Sequence, residues 1–284
     1  NYSARIPYEK WMNGAELELL ADVRGCANCQ KEESNALIAR ANLERYTVQP
    51  MVAFVSPAVE AIKNRAEEGQ AYLDFPVNQT KIYPDYRRNP SELEKIKATV
   101  DVVKNDANTQ ITEIDITGYA SPEGRYASNA RLAQGRAEAL KKYVMDSYGF
   151  KSDLFRVNSV AEDWAGLRDY VAKSNLPRKD EILFIIDKDE NDFDFKEGRI
   201  KALDGGKIYA SLLQDCYPGL RHSDYTVRYV VRGFNVEEAK QIIKTRPQQL
   251  SLQEMYLVAQ TYAKGSKEFN EVFDVAVRMF PDDP

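Results

Sequence analysis

The 284-residue chain predicts an α+β fold, with helices layered on a mixed β-sheet. Ile111 to Thr117 and Tyr225 to Val231 alternate apolar and polar side chains, the period-2 signature of half-buried strands. Leu93, Ile96, Val100 and Val103 recur at helical spacing and form one apolar stripe. Gly118-Tyr119-Ala120-Ser121-Pro122-Glu123-Gly124 then reads as a strand that turns through a glycine-bounded loop into a long helix.

In chain order, Ala15, Leu17, Leu19, Ala21 and Val23 alternate with Glu16, Glu18 and Asp22, which predicts a half-buried strand. A second apolar run, Met51 to Val55, is bounded by Pro50 and Pro57. A short helix is expected from about Ala58 to Glu68, stopped by Gly69. Ala71 to Phe75 reads as a strand with Leu73 and Phe75 on one face. Asn89-Pro90-Ser91-Glu92 is a helix start, with Asn as cap, Pro at the first helical position and Glu reaching back. Ile114 and Ile116 face away from Glu113 and Asp115 on the next strand. The helix after the glycine loop runs to about Ser147, with Ala133, Ala137, Leu140 and Val144 buried.

Leu154 to Val160 reads as a further strand. Asp163 to Val171, Glu181 to Asp187 and Gly206 to Cys216 are helical, and Asp187 to Asp194 is a surface turn. Beyond Gly233 three short helices follow, Val236 to Thr245, Leu252 to Ala263 and Lys267 to Met279. Phe273, Ala276 and Pro281 stand at separations seen near the end of a tetratricopeptide-like unit. A single unit cannot bury its own face and must pack on the preceding domain or on further repeats. The organisation is therefore a β-rich segment over 1–70, an α/β domain over 71–234 with a helical insertion at about 163–216, and a helical extension over 235–284.

The composition narrows function by exclusion. A net charge of −5 and a 29% charged fraction argue against broad nucleic-acid binding, which needs a basic face to displace counterions. No apolar run approaches the roughly 18–20 residues that span a bilayer. The chain begins at Asn1 without methionine or leader and reads as a trimmed piece of a longer protein. The chain has no P-loop, dinucleotide fingerprint or nucleophile elbow. The single histidine, His222, supplies no triad by itself. Cys26 and Cys29 suit a local disulfide or two thiols; with Cys216 and His222 they could make a Cys3His zinc site only if two segments converge. A non-enzymatic protein without a cofactor is expected.

Asn129 and Arg136 lie two helical turns apart and share a face that points back toward the glycine loop. Such a strand–loop–helix element suits capture of a small anion. Ile114-Asp115-Ile116-Thr117-Gly118-Tyr119-Ala120-Ser121-Pro122-Glu123-Gly124, followed by Asn129, Leu132 and Arg136-Ala137, resembles the OmpA-like C-terminal domain. Tyr72-Leu73-Asp74-Phe75, Asn78, Ile82 and Pro84 look like that family's opening strand and turn. The resemblance implies a βαβαβ-type layer and non-covalent association with peptidoglycan through the diaminopimelate of its stem peptide. The wider layout is similar to cell-envelope proteins of the Bacteroidetes type, some of them fimbria-associated, which implies a periplasmic, outer-membrane-associated location.

Carried over residue by residue, Arg136 matches the arginine that grips the ligand carboxylate, and Asn129 matches the amide beside it. The family's loop Thr-Asp, whose aspartate holds the ligand's ammonium group, is Ala120-Ser121 in this chain, and Pro76 stands where an acidic residue is often found. Ser121 and the backbone N–H groups at the helix start are the expected remaining partners, with Glu123 as a substitute acid. Structural roles compete at each position. Ser121-Pro122 suits an N-cap with proline following, Arg136 could brace Glu138 or a loop carbonyl, and Asn129 could pin the loop. Tyr119 and Tyr126 are expected to pack. The rival function is a degenerate OmpA-like scaffold that assembles envelope or fimbrial proteins. A wall hydrolase would need paired carboxylates from Asp74, Glu113 or Asp115 across a cleft.

Overall fold

The computed structural model describes residues 3–26, 29–41, 56–76, 78–188 and 192–283. The chain divides into two compact units, Asn1–Val55 and Ser56–Pro284. In the first, β1 (Glu16–Arg24) pairs antiparallel with β2 (Gln30–Arg40). The expected strand is present, but it is not half-buried: Leu17, Leu19 and Val23 are each at least 50% exposed. A two-stranded ladder satisfies backbone groups yet supplies no second layer, so alternation alone cannot bury its apolar face. The apolar run Met51 to Val55 lies outside the described residues.

The second unit holds a four-stranded sheet in the order β3-β6-β4-β5. The edge strand β3 (Lys63–Ala71) overturns the helix expected from Ala58 to Glu68, and it moves the boundary from near residue 70 to Val55/Ser56. Helix-favouring residues such as Ala66, Glu67 and Glu68 give way to a nine-residue antiparallel ladder with the last strand, since propensity yields to tertiary pairing. Gly69 does not stop a helix. A Cβ there would lie 2.3 Å from the Tyr225 ring, so the glycine makes room for a core tyrosine.

Residues 72–76 leave the ladder, and the strand expected at Ala71 to Phe75 is an extended segment. It is tied to α1 (Asn89–Lys104). Asn89 is fully buried; its Oδ1 accepts from Asp74 N at 2.7 Å and its Nδ2 donates to Asp74 O and Tyr83 O. Glu92 accepts from Tyr72 N. The Asn89 cap and its reaching glutamate are therefore clamps on the preceding segment, and Arg88 occupies the cap position.

Strand β4 (Thr109–Tyr119) leads to α2 (Tyr126–Tyr148) and then β5 (Phe155–Val160), which runs parallel to β4. Helices α3 (Trp164–Lys173), α4 (Lys179–Asp187), α5 (Phe193–Ala202) and α6 (Lys207–Asp215) follow before β6 (Ser223–Val231) returns antiparallel between β3 and β4. Helix α5 begins inside the stretch expected as a surface turn, started by Asp192, whose side chain accepts from Phe195 N.

All four positions of the α1 stripe and of the α2 line are buried, as are Ile114, Ile116 and the four alternate residues Tyr225, Val227, Tyr229 and Val231. All of these but Ala133 belong to one core between sheet and helices. Each fully buried Leu, Ile or Val there contributes about 1.5–3 kcal/mol. The insertion has its own core around Leu167, Ile182, Ile200 and Leu212.

Helices α7 (Val236–Thr245), α8 (Leu252–Ala259) and α9 (Lys267–Met279) build a third core. They are fastened to the sheet by Lys63, whose buried Nζ meets Glu254 at 2.9 Å and Gln249 O at 3.0 Å. Arg246 and Gln249 reach Asp106 from the same side. Among the described residues no helix is long and apolar enough to cross a membrane.

Candidate functional site

The site grows from the end of β4. Gly118 lets strand and helix close on each other, because a Cβ there would fall 2.5 Å from Ala133 O. Tyr119 N donates to His222 O at 2.8 Å, so the β4–β6 register continues past its last paired residues and brings Arg221 beside the loop. Asp163 N donates to Ala120 O, which ties the far side of the loop to the start of the insertion.

The loop runs longer than the Ser121-Pro122 helix start implies. Gly124 takes a left-handed turn at φ 84° and α2 begins at Tyr126 behind Arg125, with no side-chain cap. Ser121 is buried and caps nothing; its Oγ accepts from Arg221 Nε at 3.0 Å. Two of the N–H groups expected to serve a ligand are occupied. Gly124 N donates to Glu197 Oε1 at 2.8 Å and Tyr126 N donates to Asp194 Oδ1 at 2.7 Å. Asp194 and Glu197 are three residues apart on α5 and so share the helix face turned to the loop. Glu197 is buried and also accepts from the Tyr209 hydroxyl.

Ser121, Glu123, Asn129 and Arg136 all line one cavity of about 420 Å³. Asn129 acts as the loop pin: its Nδ2 donates to Glu123 O at 3.0 Å and to the buried Glu162 Oε1 at 2.9 Å. Glu162 also accepts from Trp164 Nε1, and burial holds its carboxyl above the ordinary glutamate range despite those two donors. Glu123 is ion-paired with Arg221.

Arg136 differs from these. Its Nε is buried without a hydrogen-bond partner, and its guanidinium lies 5.0 Å from the centre of the Phe75 ring. The brace to Glu138 does not form, and Glu138 accepts from Gln134 instead. Burial, with the neighbouring Arg221 charge, lowers the Arg136 pKa from its ordinary value. An uncompensated guanidinium in a partly dry site is a strong hydrogen-bond donor to a carboxylate.

Three further arginines, Arg87, Arg125 and Arg221, were invisible to motif reasoning. Arg221 follows a 3₁₀ turn over Tyr217–Leu220, and Arg87 sits at φ 51° with its guanidinium 5.1 Å from the Tyr86 ring centre. Both line the cavity with Arg125. Only the pairing register of β6 with β4 signals Arg221 in advance; nothing local signals Arg87.

The remaining chemistry-bearing residues are spent on other partners. Glu113 and Asp115 pair with Arg156 and Arg228, and Asp74 pairs with Arg88. His222 stacks on Tyr119 at 4.3 Å, and Tyr126 stacks on Phe193 at 5.0 Å, so both tyrosines pack as expected. Cys216 is buried in the insertion core with its thiol pushed up to about 12. Among the described residues no group of three or more His, Cys, Asp or Glu side chains is placed to hold a metal ion. The chain matches no protein-family model, and no curated protein matches it in sequence.

Proposed function

We propose that the chain is a non-enzymatic, periplasmic and outer-membrane-associated protein of the cell envelope, whose part from β3 to β6 forms an OmpA-like domain that associates with the peptidoglycan stem peptide. The succession of α1, β4, α2, β5 and β6 around a mixed sheet supports the reading. The observation that carries it is Arg136, which faces a 420 Å³ cavity with a buried Nε that has no partner. A stem-peptide carboxylate is the group that this guanidinium, unpaired with any acid among the described residues, would take. Co-sedimentation with purified peptidoglycan tests the proposal. A charge-assisted contact of about 1.5–3 kcal/mol predicts that Arg136→Ala weakens pelleting roughly 10- to 150-fold. Equal pelleting of the two proteins would remove Arg136 from the contact, and no pelleting of either would remove the wall contact itself.

A second reading is favoured by the internal satisfaction of the loop. Ser121, Asn129 and Glu123 spend polar groups on Arg221, Glu162 and each other, and α5 occupies the loop N–H groups. A degenerate OmpA-like scaffold that joins envelope or fimbrial proteins, with the tetratricopeptide-like helices as a further surface, would need no more than that. It predicts no wall binding at any salt concentration and a stable partner in a crosslinked envelope pull-down.

A further inference from the structure

The charge on the cavity walls is one-sided. Arg87, Arg125, Arg136 and Arg221 line it, and Glu123 is its one carboxylate among the described residues. A smaller adjoining cavity of about 110 Å³ shares Arg87, Arg136 and Arg221, and adds Arg88 together with Asp74. Both carboxylates are already paired, Glu123 with Arg221 and Asp74 with Arg88. Among the described residues no acidic side chain pairs with Arg87, Arg125 or Arg136. An ammonium group entering this space would meet uncompensated guanidinium groups and no open carboxylate, a like-charge juxtaposition that costs several kcal/mol in a binding site.

Phe75 and Leu132 supply an apolar wall between these charges. Cationic groups set on an apolar wall, in a cavity large enough for a small organic molecule, match two carboxylates joined by a methylene chain. A compact single anion would leave most of the arginines unpaired.

We infer that the cavity selects a dicarboxylate ligand through its carboxylates alone and disfavours an ammonium group on the same chain, so that diaminopimelate is held more weakly than its deaminated analogue. This rests on reading the cavity as the ligand site of the proposed wall contact. Bound carboxylates offset both the burial that chiefly weakens proton binding at Arg136 and the smaller repulsion from Arg221. Glu123 competes with the ligand for Arg221.

Calorimetric titration of the intact chain with pimelate, meso-diaminopimelate and inorganic phosphate tests it, since the first two share a carbon skeleton and differ in two amino groups. Pimelate is expected to bind at least tenfold more tightly than diaminopimelate or phosphate, and Arg136→Ala to weaken it at least tenfold. Glu123→Gln is expected to tighten pimelate severalfold and to leave diaminopimelate no weaker. Tighter binding of diaminopimelate, its loss in Glu123→Gln, phosphate equal to pimelate, or no pimelate binding at millimolar concentration would each overturn the inference. Arg136-dependent sedimentation with any of those results leaves the wall contact standing and removes only the selectivity. Pimelate binding without sedimentation does the reverse.

Discussion

Helices α7 to α9 and helix α2 start in different ways. Asn235 and Glu238 at α7, and Ser251 and Glu254 at α8, form reciprocal capping boxes, while Ser266 at α9 accepts from Phe269 N at 3.2 Å. Each start is written within four residues of sequence, in the pattern that satisfies orphan helix donors. Helix α2 has no such cap. Its first donor is met by Asp194 and the loop before it by Glu197, residues 68 and 73 positions further along the chain. The difference bears on function: carboxylates of the insertion fill the backbone donors that a helix start otherwise offers to an anion. In the proposed reading, charge recognition at this loop therefore falls to side chains, chiefly Arg136 and its neighbours, rather than to the backbone.

The largest test of this contrast is Glu254→Ala. Glu254 completes the α8 box, accepts from Phe234 N and neutralises Lys63, whose side chain is 4% exposed. Stranding that buried ammonium is expected to cost about 3–5 kcal/mol in urea denaturation. A loss near 1 kcal/mol would mean that the residue serves only its own helix. Glu197→Ala is expected to cost about 1–3 kcal/mol, because Gly124 N–H and the Tyr209 hydroxyl lose their acceptor. Amide exchange should speed up across residues 120–128. Unchanged exchange there would show that α5 does not set the start of α2.

Ser266→Ala addresses a self-capped helix and is expected to cost about 1 kcal/mol, with faster exchange confined to the first turn of α9. Spread of that effect to α2 would erase the distinction between local and tertiary starts. The smallest effect concerns Glu162, the anchor of Asn129. Its folded-state pKa is raised chiefly by burial, so the folded protein holds this proton more tightly than the unfolded chain does. Below the ordinary value of 4.5 both states are protonated and the group contributes nothing to the pH slope. Stability should fall as pH rises from there through the raised folded value, then level off. Glu162→Gln should flatten that segment of a stability–pH curve, and an unchanged slope would place the effect elsewhere.

Particular elements show how far the chain could be read in advance. Helices α7 and α9 run over the ranges read from the sequence, Val236–Thr245 and Lys267–Met279. The β6 strand and the buried lines of α1 and α2 were legible from period alone. The stretch 58–68 was misread because Ala, Glu and Lys favour a helix locally, while the free edge of β6 offers a ladder that local propensity does not register. Asn89-Pro90-Ser91-Glu92 signalled α1 correctly, yet the asparagine and glutamate are spent on residues 72–76. Ser121-Pro122 satisfied every local condition of a cap, and Arg221 took the serine.

The candidate site divides along the same line. Arg136 and Asn129 were legible because two helical turns place them on one face whatever surrounds them. Whether either side chain stays available was decided by residues far along the chain: Glu162 took the amide, and no acid took the guanidinium. Sequence by itself determined the periodic elements, since backbone geometry and the burial of an apolar face act over a few residues. Only the tertiary structure decided the edge strand, the start of α2 and the charge balance of the cavity. Each of these depends on which distant donors and acceptors are brought within about 3 Å, a distance that no local pattern encodes.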